Sequence, residues 1–425
     1  MEKQFFIGVP YYDVFVYLNN ALIFAGIPVG NLSVIYLSPL MPFLTSLVFR
    51  AGYISENVIF ILDGFIFILG VIGLYSLLNE RFNSIKSFTG VLIFLSFPMT
   101  YAWAVSGGID FPGVSFSILT IYVLVRGVNK NSKYLYLVFP LLIVAFIARY
   151  TSAILIFPIL LYLLLNKHDI LTHLKKLIIG CLGGFAVITP FLLYIFYKLG
   201  NLDSLLNIFT STLWGSGATV NDLGYNPVKL YFLNNLLNYV SVGPITGIYG
   251  ILQSPSRGYP SILSYILTVI VLVGLGIYLY PILADKIKEY AWSKKTIIKA
   301  FIWAILSLLT IYSFLNLSYM ITELLFLGVL YLSYHLINGK HDKNLKIDFL
   351  FLAWFGAFFI FHSTIQLKED RYFITMMPAL AYFIMLGLSS LLEKFNFKNE
   401  HLKTALYLMV GLLFLSYSTV TYIGH

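Results

Sequence analysis

Long apolar stretches separated by short polar connections make up most of the 425-residue chain. A helix that crosses a membrane needs about 20 apolar residues, and shorter stretches can cross when they are packed inside protein. The pattern therefore predicts twelve spanning helices in two sets of six. They are predicted at 58–78, 88–105, 112–126, 134–148, 151–166 and 177–197, and at 260–283, 297–315, 319–338, 347–364, 374–392 and 404–422.

The composition supports a helical membrane protein. Apolar residues make up 59% of the chain and charged residues 11%, whereas soluble proteins carry about 25% charged residues. Strands in lipid would require apolar and polar residues to alternate. The apolar runs of this chain are instead continuous. We therefore predict an all-α, polytopic transmembrane helix bundle with juxtamembrane helices on the extracytoplasmic face.

Four regions follow from this layout. They are an external juxtamembrane segment at 1–57, an N-terminal transmembrane bundle at 58–197, a long external loop at 198–259 and a C-terminal transmembrane bundle at 260–425.

The apolar stretch 33–50 is the least certain part of the layout. It is of marginal length for a span, and Pro39 and Pro42 lie near its start. Proline disrupts the interior of a helix, so we interpret the stretch as juxtamembrane helix. A kinked spanning helix remains the alternative.

The distribution of positive charge orients the predicted helices. Six alternate loops hold 19 of the 27 Lys and Arg residues, and such loops are cytoplasmic in multi-pass proteins. The net charge of +9 is therefore explained by basic cytoplasmic loops that contact anionic membrane lipids, and no nucleic-acid partner is needed. We predict a multi-pass protein of the plasma membrane.

With this orientation, varied polar chemistry collects on the extracytoplasmic face. Carboxylates can deprotonate or orient a hydroxyl nucleophile, Arg and Lys bind phosphate oxygens, and Tyr and Trp stack on sugars. This combination suits a sugar donor that is linked to lipid through phosphate. The residues are Asp13, Asp110, Arg149, Lys368, Arg371, Tyr17, Tyr150, Tyr372 and Trp214.

Four stretches on that face resemble a known family when they are taken in order. They are Asp13-Val-Phe-Val-Tyr17 with the proline-rich stretch after it, Gly107-Gly-Ile-Asp110-Phe-Pro112, the hairpin FIARYTSAILIFP around Arg149, and Lys368-Glu-Asp-Arg371-Tyr372 through Pro378. The set resembles the protein O-mannosyltransferase and lipid A aminoarabinose transferase families. These are polytopic glycosyltransferases of the C superfamily (GT-C).

The resemblance implies transfer of a sugar from a polyprenyl (dolichyl) phosphate to a lipid, glycan or protein acceptor, with inversion. It implies catalytic roles for Asp13 and Asp110, and binding of the donor phosphate by Arg149, Arg371 and Lys368. Substrate contacts are assigned to Tyr17, Tyr150, Tyr372 and Trp214. No cofactor is expected; a divalent metal is possible but is not indicated by the sequence.

The chain departs from the family pattern at two places. Val14 stands where the family has an acidic neighbour of the first aspartate, so a mechanism that needs both carboxylates is not supported. The spanning helix that precedes this aspartate in the family is also missing, and a truncated or mis-assigned start would account for it.

Each assignment has a plain alternative. Asp13 could be an exposed surface acid, Asp110 a helix N-cap, and Arg149 a cation whose side chain extends to the membrane surface. Lys368 and Arg371 could pair locally with the acids between them. Two further acids within predicted helices, Asp63 and Glu323, could line a cavity or make hydrogen bonds inside the bundle.

Two other functions also fit such a face, a transporter or flippase of lipid-linked glycans and a polymerase of such glycans. A transporter predicts internal repeats and charges deep in both leaflets, and neither is visible. A polymerase would favour several arginines in the long loop, which carries Lys229 and Arg257 beyond its first residue.

Overall fold

A computed structural model describes residues 11–29, 35–167, 171–207, 224–243, 255–289, 294–337, 343–395 and 399–423. Within these ranges the chain is helical, and the β pairing found there is limited to two isolated bridges. The α-helices are α1 (Tyr12–Ala25), α2 (Leu40–Arg50), α3 (Asn57–Leu78), α4 (Ser84–Ser96), α5 (Pro98–Trp103), α6 (Asp110–Asn129), α7 (Val138–Ala148), α8 (Ile156–Leu165), α9 (Leu174–Leu199), α10 (Tyr231–Asn234), α11 (Leu236–Val240), α12 (Ile262–Glu289), α13 (Lys294–Asn316), α14 (Tyr319–Ile337), α15 (Lys343–Thr364), α16 (Met377–Lys394) and α17 (Glu400–Ile423). Short 3₁₀ helices occupy Ser132–Leu137, Tyr150–Leu155, Pro255–Arg257 and Asp370–Thr375.

Eight helices in the described part of the chain are long and apolar enough to cross a membrane. They are α3, α6, α9, α12, α13, α14, α15 and α17, and each falls on a predicted span. The predicted polytopic helical class is confirmed. The remaining four predicted spans fall on shorter helices or, at 374–392, on the 18-residue α16, so the total of twelve stays a prediction.

The sequence predicted one continuous helix at 88–105, and this was wrong because the structure has two helices there. Helix α4 ends at Ser96 and α5 begins at Pro98. Proline has no N–H and forces the residue before it into an extended conformation. Phe97 accordingly has φ −64° and ψ 138°, which breaks the helix.

The apolar stretch before the first long helix contains a short helix. Helix α2 begins directly after Pro39 and has 11 residues, which at 1.5 Å per residue is about 16 Å. The hydrocarbon core of a membrane is about 30 Å thick. This length fits the juxtamembrane interpretation better than the kinked span.

The chain divides into two compact units. The first unit comprises Met1–Leu77, Ala102–Ala153 and His168–Ser211. In it α1 packs on α2, and α7 packs on both α6 and α9. Val14 and Tyr17 of α1 are buried in one apolar cluster with Met41, Ile59 and Phe60, so the N-terminal helix is anchored on α2 and α3.

The second unit comprises Leu78–Tyr101, Ile154–Lys167 and Thr212–His425. In it α12 packs on α16, α13 on α14, α17 on α4, and α15 on α8. Helix α13 exposes apolar side chains such as Phe301, Leu308 and Tyr312. Such an exposed apolar face is suited to contact with lipid.

A buried carboxylate, Asp348, joins four segments of the second unit. It accepts a hydrogen bond from the Arg81 guanidinium, with Nε 3.1 Å from Oδ1, and from the hydroxyls of Tyr278 and Tyr382. Tyr382 is fully buried and stacks on Phe351, with ring centroids 3.8 Å apart. A buried charge is tolerated when it is paired and hydrogen-bonded, so this network should be a main determinant of the unit's stability.

We expect Asp348→Ala to lower the free energy of unfolding by about 3–5 kcal/mol, because it leaves a largely buried guanidinium without its counter-charge. Thermal unfolding in detergent measures this loss. The matched control is Glu393→Gln, which removes the half-exposed partner of Lys86 and should cost about 0–1 kcal/mol. Equal effects of the two substitutions would show that the network is not a determinant of stability.

Candidate active site

The structure brings two of the predicted site residues of the first unit into contact. Asp110 is the first residue of α6, and Arg149 directly follows α7. Their side chains are 5% and 4% exposed, and Nη1 of Arg149 lies 2.8 Å from Oδ1 of Asp110. The packing of α6 on α7 thus buries a carboxylate and a guanidinium as a close ion pair.

The structure excludes the plain alternatives considered for these two residues, and their functional roles stay predictions. The N-cap of α6 is Ile109, which makes no side-chain capping bond, so Asp110 is not an N-cap. Its negative charge in the first turn is favoured by the helix dipole. Arg149 is buried, which excludes a side chain that extends to the membrane surface.

A glycine makes the close approach of the two helices possible. A Cβ at Gly113 of α6 would lie 2.5 Å from Cβ of Arg149 and 3.2 Å from Oγ of Ser152. Real Cβ atoms essentially never come closer than 3.0 Å to another heavy atom. The absence of a side chain at position 113 therefore gives Arg149 the space next to Asp110.

The turn that leads into Asp110 is held by a buried acid. Oδ2 of Asp63, in α3, accepts a hydrogen bond of 3.0 Å from the backbone N–H of Gly107. Gly107 has φ +75°, a conformation that glycine adopts without strain. The next amide, of Gly108, donates to Oγ of Ser106 at 3.2 Å. The turn is thus held by Asp63, which belongs to another helix, and by Ser106, which belongs to the turn itself.

Asp13 and Tyr17 lie one helical turn apart on α1. Tyr17 is buried, whereas Asp13 is partly exposed between the exposed side chains of Tyr12 and Phe15 and the buried Val14. Residues four apart share one helix face. Asp13 is therefore a partly exposed carboxylate on a packed helix, and its predicted catalytic role stays a prediction.

Tyr150 follows Arg149 in the same unit. Its hydroxyl donates a hydrogen bond of 2.5 Å to the backbone carbonyl of Tyr36. Through this bond the turn after α7 is joined to the chain just before α2. Tyr150 therefore has a structural contact in addition to the substrate contact that the sequence predicts.

Lys368 is a buried cation in the second unit. Its Nζ donates to the carbonyl of Ile365 at 2.5 Å, and its backbone N–H donates to Gly224 at 2.8 Å. The described residues place no carboxylate within ion-pair distance of it. Burial and the nearby charge of Lys229 lower the pKa of Lys368 to about 8.

Asp370, two residues further on, is the acceptor for three donors of the long loop. Its Oδ1 accepts 2.7 Å hydrogen bonds from the hydroxyls of Tyr231 and Tyr239, and its Oδ2 accepts from the Ser256 N–H at 2.9 Å. Burial and the Asp370 charge raise the pKa of both phenols, so both remain donors. This carboxylate anchors the described parts of 224–259 to the segment of Lys368.

The sequence left open a local pairing of the charges between Lys368 and Arg371, and the structure shows this pairing only in part. Arg371 forms an ion pair with Glu369, while Asp370 is taken up by the two tyrosines. Tyr372 stacks on His362, with ring centroids 5.2 Å apart and an angle of 16° between the planes. Arg371 and Tyr372 are both partly exposed, and their predicted roles stay predictions.

Trp214 lies outside the described residues. Among the residues that the structure describes, no group of three or more His, Cys, Asp or Glu side chains could hold a metal ion.

Sequence reasoning missed the importance of two acids. Asp370 stood in the stretch Lys368–Tyr372 and was considered only as a local partner of its neighbours. Asp63 was noted as an intramembrane acid without a role. The available signal for Asp63 was the cost of placing a carboxyl within a spanning helix.

Comparison with known proteins agrees with the resemblance found in the sequence. Residues 37–194 match the model of a family described as dolichyl-phosphate-mannose-protein mannosyltransferase. The fold is similar to the crystal structure of ArnT from Cupriavidus metallidurans bound to undecaprenyl phosphate, with a TM-score of 0.55 and 12% sequence identity. That alignment covers 97% of this chain and 71% of the other chain. No curated protein matches the chain.

The predicted likeness to the GT-C glycosyltransferases is confirmed by these two findings. The family match includes Asp110, Arg149 and Asp63, and the structural match extends over nearly the whole chain. The first is a match to a family of sugar transferases over part of the chain, and the second is a likeness of fold.

Proposed function

We propose that this chain transfers a sugar from a polyprenyl phosphate to an acceptor hydroxyl at the extracytoplasmic face of the plasma membrane. The observation that carries the proposal is the buried Asp110–Arg149 ion pair within the segment that matches the mannosyltransferase family model. The bound lipid of the ArnT structure supports a polyprenyl phosphate as the donor carrier. The basic loops support the extracytoplasmic orientation.

In the proposed reaction the acceptor oxygen attacks the anomeric carbon of the sugar. A new glycosidic bond forms, the bond between that carbon and the phosphate oxygen breaks, and the electron pair leaves with the polyprenyl phosphate. Attack from the side opposite the phosphate inverts the anomeric centre. The hydroxyl proton passes to Asp13 as general base. Binding of phosphate oxygens is the role proposed for Arg149 in the first unit, and separately for Lys368 and Arg371 in the second.

Purified protein in lipid nanodiscs tests the proposal directly. Labelled mannosyl, other hexosyl and pentosyl undecaprenyl phosphates are supplied with extracts of membrane lipids, glycans or proteins as acceptors. We expect label to move from one donor class to one acceptor class, with equimolar release of undecaprenyl phosphate. Movement of intact donor across a vesicle membrane without cleavage would instead support a flippase.

Binding of the phosphate should weaken as the pH rises through about 8, because the pKa of Lys368 lies there and its ammonium then becomes neutral. Titration of undecaprenyl phosphate against the protein between pH about 7 and about 9 measures this. Lys368→Arg should remove the dependence, since a guanidinium stays charged.

Two variants separate this effect from titration of the ligand. Lys368→Met shows how the affinity changes with pH when the ammonium is absent. Lys229→Met should move the midpoint upward because it removes a like charge. The free energy of unfolding should depend on pH in the opposite direction from phosphate binding. Because the unfolded chain binds the Lys368 proton more tightly than the folded chain, the contribution of Lys368 to the free energy of unfolding rises between pH about 8 and about 10.4. The same pH profile for wild type and Lys368→Met would exclude Lys368 from the phosphate site.

A further inference from the structure

Asp63 is a fully buried carboxyl inside the long apolar helix α3. Such groups are costly in a membrane and are kept where they are used. Its Oδ2 is engaged by the amide of Gly107, and its Oδ1 has no hydrogen-bond partner in the described structure. The bond to Gly107 is thus its defined interaction.

That bond holds a turn whose end is the candidate active site. Two residues, Gly108 and Ile109, separate Gly107 from the ion-paired Asp110. A Cβ on Gly108 would lie 3.7 Å from Oδ2 of Asp110 and 3.1 Å from Oγ of Ser106. The Asp110 carboxylate therefore lies against the backbone of the turn, and a shift of the turn displaces it.

The other side of the turn is equally closed. A Cβ on Gly107 would meet the ring of Phe60 at 2.9 Å and Cγ2 of Ile59 at 3.0 Å. Phe60, Ile59 and Asp63 all belong to α3, and Phe60 and Ile59 are fully buried. Helix α3 thus provides both the wall against which the turn packs and the acceptor that fixes its amide.

We propose that Asp63 is a positioning residue, which sets the place of Asp110 and of its partner Arg149 through the Gly107 amide. The inference rests on the proposed glycosyl transfer. It assigns Asp63 no contact with substrate. Its effect on the reaction passes through Asp110, and misplacement of a reacting group by about 1 Å can cost about 10²-fold in rate.

A pair of substitutions of similar size tests this role. Asp63→Asn keeps a side-chain oxygen that can accept from Gly107, whereas Asp63→Leu removes the acceptor. We expect Asp63→Leu to lower kcat for sugar transfer by about 10²-fold and Asp63→Asn to restore most of that loss. The control is Glu323→Leu, since Glu323 is also a fully buried carboxyl in a spanning helix. It should leave kcat near the wild-type value.

A double substitution separates positioning from general damage to the fold. If Asp63 acts through Asp110, Asp63→Leu should have no further effect on the residual rate of Asp110→Asn. A purely structural role would reduce the rate by the same factor in both backgrounds. That equal loss, or an Asp63→Leu variant as active as wild type, would overturn the inference and leave the proposed function standing. Wild-type protein that transfers no sugar from any donor overturns both.

Discussion

Asp13→Asn should reduce sugar transfer by about 10²–10⁴-fold, the usual contribution of a general base. The amide has nearly the shape of the carboxylate but takes no proton at neutral pH. The structure places Asp13 in the first turn of α1, partly exposed and beside the buried Val14. Release of labelled sugar to acceptor over time measures the loss.

The protein should otherwise be unchanged by this substitution. Asp13 is partly exposed, so its thermal unfolding and its affinity for undecaprenyl phosphate should remain near wild type. Asp203→Asn changes an exposed acid of the same unit and should leave transfer intact. Full transfer by Asp13→Asn would remove Asp13 from the mechanism and make Asp110 the remaining predicted catalytic carboxylate.

The sequence predicted the membrane-spanning helices well because lipid imposes a simple rule. Every backbone polar group must be satisfied within its own helix, so a span appears as a long apolar run. The eight long helices of the structure all fall on such runs. The rule fails at Pro98, where the apolar run continues from 88 to 105 but the helix does not.

The contacts within the site could not be predicted in the same way. Asp110 and Arg149 are 39 residues apart, and neither the spacing nor the hydropathy shows that α6 and α7 pack there. Their contact depends on Gly113, whose missing side chain leaves the necessary space. The family resemblance placed both residues on one face, but it assigned them separate roles and did not predict their ion pair.

The Asp370 network shows a second limit. Its tyrosine donors lie 139 and 131 residues before it. Sequence reasoning paired the acids of the Lys368–Tyr372 stretch with their nearest cations, since local charges are the visible partners. In the structure burial decides the pairing. Asp370 is buried and accepts hydrogen bonds from the two phenols, while the more exposed Glu369 forms an ion pair with Arg371.

Arg149→Met should destabilise the first unit by about 3–5 kcal/mol and abolish transfer, because it leaves the Asp110 carboxylate buried without a counter-charge. Both side chains are almost completely enclosed, and their charged atoms are 2.8 Å apart. Thermal unfolding measures the first effect and transfer of labelled sugar the second. Arg149→Lys should fall between wild type and Arg149→Met in both measurements, since an ammonium keeps the charge but loses the planar geometry.

The double variant Asp110→Asn with Arg149→Met separates stability from function. Removal of both charges from a buried pair is often neutral for folding, so most of the lost stability should return. Transfer should not return, because the guanidinium proposed to bind phosphate and the carboxylate beside it are both absent. Recovery of transfer together with stability would show that the pair serves the fold alone. Loss of both in the double variant would show that the pair is an essential part of the packing between α6 and α7.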